Sequence, residues 1–140
     1  MTMLFSNSIA RTQAEREYRA KTRGSPDFTY TPGAIDPAAI VEININKQFP
    51  GARKYEPLDS IEIINNEAAN PVTVSINDRP AYADRTFPIP ARTSRIVDDG
   101  VYIGTVHVRN DGAVATTAGN IVIRLKKKPY DANDAARRAL

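Results

Sequence analysis

From Ile40 onward the chain runs in short stretches where apolar and polar residues alternate. That two-residue period belongs to strands with one buried and one wet face. "IVEININ" (40–46) sets Val41, Ile43 and Ile45 on one side, and "SIEIIN" (60–65) does the same with Ile61 and Ile63. "PVTVSIN" (71–77) aligns Val72, Val74 and Ile76. "TFPI" (86–89) is broken by a proline, which predicts an edge position. "TSRIV" (93–97), "VYIGTVHV" (101–108) and "IVIRLK" (121–126) complete the set. Within 101–108 the apolar phase shifts from Val101 and Ile103 to Val106 and Val108, which predicts a bulge at Gly104. "NDGAVATTAGN" before the last strand reads as a long hairpin loop.

About seven short strands of this kind predict an all-β fold, an antiparallel β-sandwich or a closely related barrel, with a jelly roll among the forms it could take. Ile103, Val106, Val108, Ile121, Ile123 and Leu125 join the residues named above as the expected core.

The chain before Ile40 is patterned differently. "SIARTQAEREYRAKTR" (8–23) predicts a helix, capped by Ser8 or Asn7 and stopped by Gly24 and Pro26. Its apolar stripe of Ile9, Ala10, Ala14 and Tyr18 is too thin to anchor it on its own domain. "GSPDFTYTPGAIDPAA" (24–39) holds three prolines and two glycines and reads as a linker. The expected organisation is a helical arm with linker over 1–39, a β-sandwich over 40–128 and a polar tail over 129–140. On this division, removal of 1–39 should leave a folded sandwich.

Charge sharpens the division. Residues 1–24 carry five basic and two acidic groups, residues 124–140 six and two, and the middle eight and twelve. An acidic body with basic ends suits attachment to an acidic surface. Arg11, Arg16, Arg19, Lys21 and Arg23, with Phe28 and Tyr30 to fill pockets, are the expected partner-binding residues.

Chemistry is sparse. The chain has no cysteine and one histidine, which excludes disulfides, thiolate zinc sites and a multi-histidine metal site within one chain. No apolar run approaches the ~20 residues of a membrane span, and "MTMLFSNS" lacks the basic start and the length of a signal peptide. His107 falls between Val106 and Val108, as a strand residue on the face opposite the valines. A serine triad would need it beside Ser60, Ser75 or Ser94, and none has a supporting motif. Asp78, Asp84 and the "DDG" at 98–100 would suit calcium if their loops converged, but turn chemistry accounts for them. "RLKKK" (124–128) has the cations of a nucleic-acid patch without the stacking aromatics, so a solubilising strand end is the better reading. No cofactor or metal is expected, and no enzymatic motif is found.

Residues 61–125 contain a strand into "NN", the strand "PVTVSIND", an "IPA" turn into "TSRIVDDGVYIGTVHVRN", and a loop ending "AGNIVIRL". In these elements the chain resembles small β-sandwich proteins on the virions of tailed phages and related viruses. The resemblance spans about half the chain and carries no catalytic residue. It implies a decoration, cement or minor capsid subunit, assembled in the host cytoplasm and located in the virion. The implied partners are other virion proteins, the major capsid protein first, and copies of itself. Nucleic acid is not favoured, and no membrane is expected. The other classes are a tail or neck subunit and a carbohydrate-binding adhesion module. The last would need exposed aromatics, for which Tyr55, Tyr82 and Tyr102 are the candidates.

Overall fold

The computed structural model describes Ala14 and residues 27–55, 58–81, 86–98 and 100–127. Its eight strands are β1 (Phe28–Tyr30), β2 (Ile40–Asn44), β3 (Ser60–Asn65), β4 (Val72–Ile76), β5 (Thr86–Ile89), β6 (Thr93–Val97), β7 (Thr105–Asn110) and β8 (Ile121–Lys126). A short helix α1 (Ile45–Gln48) and a 3-10 turn (Pro50–Lys54) follow β2. The strands form two four-stranded antiparallel sheets, ordered β1-β8-β3-β6 (sheet A) and β2-β7-β4-β5 (sheet B).

Four pairs are nested in sequence: β1 with β8, β2 with β7, β3 with β6, and β4 with β5. The chain is therefore one long hairpin rolled up, and the roll adds the contacts β3·β8 and β4·β7. This is the double Greek key of a jelly roll. Alternating side chains from both sheets fill the space between them. Ile43, Ile61, Ile63, Val72, Val74, Val106, Val108, Ile121, Ile123 and Leu125 are buried as their strand phases predict. Val41 and Ile76 pack on the core from half-buried positions.

Four details differ from the sequence pattern. The alternation of 40–46 stops at Asn44, whose Oδ1 accepts from the Lys47 backbone N–H at 3.2 Å and caps α1. Ile45 stays buried, so both geometries satisfy its hydrophobicity. The phase shift at 101–108 is the start of a strand and not a bulge within one. Ile103 bridges Leu58, and β7 begins only at Thr105. The 111–120 loop is not a hairpin, because β7 and β8 lie in different sheets and the loop crosses between them.

The fourth difference concerns the linker. Strand pairing begins at Phe28, with Phe28 opposite Leu125, Thr29 opposite Arg124 and Tyr30 opposite Ile123. Ile35 is 1% exposed and sits in the core. Residues 28–39 thus belong to the sandwich, since a PPII-compatible segment serves equally well as an edge strand. The predicted helix over 8–23 lies, apart from exposed Ala14, outside the described residues, as does the tail from Lys128.

Candidate partner-binding surface

Of the residues expected to bind a partner, Arg11, Arg16, Arg19, Lys21 and Arg23 lie outside the described residues. Phe28 and Tyr30 are placed, at the two ends of β1. Both are half-buried against the core of their own subunit. The Phe28 ring sits 5.5 Å from Phe49 and 6.1 Å from Tyr55, in tilted contacts. Part of their apolar surface is thus used within the fold.

One end of the sandwich is tied by buried amides. Asn110 Nδ2 donates to Ile35 O at 2.9 Å and to Val114 O at 2.8 Å, while its Oδ1 accepts from Gly112 N at 2.8 Å. Asn65 Nδ2 donates to Asn70 O and Ile89 O, and its Oδ1 accepts from Glu67 N. The buried Glu67 carboxylate accepts from Thr117 N at 2.6 Å and from Asn120 Nδ2 at 3.0 Å. Thr116 exchanges two bonds with Ile35, through its own N–H and its Oγ1. A ten-residue crossing (111–120) that would otherwise be loose is held to the 31–37 and 65–70 segments at several points. The alternating strand pattern had no way to announce this; the Asn and Thr letters in "NNEAAN" and "NDGAVATTAGN" read only as turns.

The outer face of sheet B brings the candidates His107 and Ser75 into one row with Glu42. Glu42, His107 and Ser75 occupy directly opposed positions on β2, β7 and β4. Their roles do not form a proton relay. His107 Nε2 is 3.9 Å from Glu42 Oε2, and its buried Nδ1 has no hydrogen-bond partner among the described residues. Ser75 is fully buried, with its hydroxyl donated to Asp78 O at 2.5 Å. A nucleophile must reach its substrate and have its base in contact, and Ser75 meets neither condition. Beside the row, Arg109 Nε donates to Asp111 Oδ1 at 2.7 Å and the Thr73 hydroxyl bonds Asp111 Oδ2.

The aspartate loops do not assemble a cation site among the described residues. Asp78 Oδ1 accepts from Arg79 N, the turn chemistry expected of it; Asp84 and Asp99 lie outside the described residues. Neighbouring Asn77, at positive φ, donates to Tyr102 O and accepts from Gly104 N, which stitches the 77–78 turn to the start of β7.

The outer face of sheet A carries Arg124 and Lys126 of "RLKKK", and Lys128 lies outside the described residues. β8 is flanked by β1 and β3, so these cations do not guard a sheet edge. Arg124 pairs with Glu62 at 3.5 Å, and Lys127 with Asp59 at 3.7 Å in a largely buried pair. Lys127 Nζ also lies 5.9 Å from the Tyr102 ring centre. Partly neutralised cations make a poor phosphate track. Next to them a shallow groove of about 390 Å³ is lined by Asp27, Ser60, Glu62, Ile96, Asp98, Arg124 and Lys126.

No family model matches the chain, and no curated protein matches it.

Proposed function

We propose that this protein is a virion structural subunit, a decoration, cement or minor capsid protein that attaches to the shell through its basic N-terminal segment. The observation that carries the reading is the nested strand pairing, a double Greek key of the kind capsid domains share. Fold alone does not assign function, so the reading also leans on charge. Residues 1–24 carry a net +3 and precede a sandwich region with an acidic excess. A tied loop end and a filled core give a stiff body, and a charged extension gives it a tether. Weak tethers repeated on a lattice add as avidity, and copies at a symmetry position share that gain.

The main rival for a jelly roll is glycan binding, which needs aromatic platforms. Tyr55 packs against Phe28, and Tyr102 is the only tyrosine among the described residues with a largely exposed ring. Tyr82 lies outside the described residues; one exposed ring among those described is a meagre platform, so the structural reading is preferred.

The decisive experiment is quantitative mass spectrometry of purified, density-banded particles from a lysate producing this chain. The protein should co-band with the major shell protein at a fixed ratio. Its recovery only in the unassembled soluble fraction would overturn the proposal.

A further inference from the structure

Each sheet ends in two edge strands, whose outer N–H and C=O groups are able to pair with another strand. Three of the four edges are blunted. β1 has three residues and runs into Pro32. β5 has four and carries Pro88 within them. β2 gives way to α1, and Lys47 and Gln48 of α1, with Tyr30 of β1, line a groove beside it. β6 has none of these devices. Its five residues include no proline or lysine, and the first four are exposed. The turn that leads into it is fixed, since Arg92 takes a positive φ and Thr93 Oγ1 donates to Pro90 O at 2.6 Å. β6 pairs with β3 on one side and with no described strand on the other.

Pairing with β3 fixes which way each side chain of β6 points. Arg95 and Val97 stand opposite the buried Ile63 and Ile61, so they face the sandwich interior, and Arg95 lies over the Phe87 ring at 4.9 Å. Ser94 and Ile96 face outward, and Asp98 follows in the same phase. Ile96 is 61% exposed. Antiparallel self-pairing about a two-fold axis must set outward residues opposite outward ones. Over Thr93 to Asp98, the registers that pair the most residues are centred on Arg95 or on Ile96. The first sets Arg95 directly against its own copy, and like charges so opposed destabilise a sheet. The second sets Ile96 against the partner's Ile96 and Arg95 against the partner's Val97. It also brings each Ser94 hydroxyl to the partner's Asp98 carboxylate, a donor to an acceptor.

We propose that β6 is a self-pairing edge, at which two copies of the chain join β6 to β6 antiparallel about a two-fold axis at Ile96. The two four-stranded A sheets then become one continuous sheet. The outer backbone groups of β6 gain partners, and the exposed Ile96 side chain is covered by its own copy. A joint of five residue pairs is smaller than a standard stable interface, so the dimer is reversible and follows concentration. This inference concerns the chain in solution and does not rest on a place in the virion.

Sedimentation equilibrium of the full chain tests it. The average mass should climb from one chain toward two between about 1 and about 500 µM, the range of a small reversible interface. Ile96→Lys sets two ammonium groups face to face at the axis and should hold the chain as a monomer throughout. Ile96→Glu should do the same, and an equal mixture of the two variants should recover the dimer. Only a register that sets position 96 against itself gives that rescue. Ile40→Lys, at an exposed position on the β2 edge, should leave association unchanged. Melting temperatures near that of the intact chain verify each fold. Ser94→Asp, placed against the partner's Asp98, should weaken the dimer several-fold and reads the register even if an Ile96 variant misfolds. A chain that stays monomeric across the range, a dimer indifferent to Ile96→Lys or to Ser94→Asp, or a mixture of folded variants that stays monomeric overturns the proposal. Association lost in Ile40→Lys and kept in Ile96→Lys overturns it in favour of the β2 edge.

Discussion

Individual residues divide into those that fill the core and those that fasten its end. Ile123 is fully buried at the centre of sheet A, between Tyr30 and Ile63 in register. Ile123→Ala should lower stability by about 2–5 kcal/mol in a urea titration. Ile76 is only half-buried at the end of β4, and its truncation should cost about half as much or less. Asn110 makes its contribution through amide bonds. Asn110→Ala would strand the carbonyl of Val114 and the N–H of Gly112, and leave the Ile35 carbonyl with only its bond from Thr116 N. Buried groups without partners cost about 1–3 kcal/mol each when water cannot replace the bond, so a loss near 3 kcal/mol is expected. Gly112→Ala probes the same end from another side. A Cβ there would lie 2.0 Å from Asn70 Oδ1, so Asn70 must move and release Ala115 O. A melting temperature unchanged in both variants would show that the amide network is dispensable.

Elements raise the question of where the sandwich begins. β1 has only three residues, yet it closes the edge of sheet A and brings Phe28, Tyr30 and Ile35 onto the core. Removing 1–39 would expose β8 along one side and open a cavity where Ile35 sat. Removing 1–26 would take away only what precedes the sheet. The first deletion should be unfolded or melt far lower, and the second should melt within a few degrees of the intact chain. Circular dichroism of the two fragments decides this; equal stability would return 28–39 to the role of a linker. β2, β3, β4, β7 and β8 were legible because their alternation is strong, and Ile43, Ile63, Val74 and Ile123 fall within them; β5 and β6 were read from short apolar runs between turn residues. β1 was not, because "FTYTPG" is too short to show a period and proline marks edges and linkers alike. The groove was equally hidden. Ser60, Ile96 and Asp98 are unremarkable apart, and only the β3·β6 register makes them neighbours.

At the scale of the whole molecule, the rolled hairpin places the two chain ends side by side. β1 and β8 pair, so the segment before Asp27 and the segment after Lys127 leave from adjacent strands. The basic groups of 1–24 and of 124–140 therefore originate on one edge of an otherwise acidic protein. On the proposed attachment, basic segments that leave from adjacent strands would help steer a subunit toward an acidic surface. On the proposed attachment through 1–26, the cations available are Arg11, Arg16, Arg19, Lys21 and Arg23. Exposed charge pairs are individually weak and are screened over about 8 Å at physiological salt. Particle association of the full chain should therefore weaken by about tenfold or more between roughly 0.05 and 0.5 M salt. The chain lacking 1–26 should associate poorly at every salt concentration while keeping its fold. Co-sedimentation with particles, run for both chains across the salt series, measures this directly. Association of the full chain that ignores salt would assign the attachment to the apolar Met3–Phe5 stretch, and undiminished binding of the shortened chain would move it to the sandwich itself.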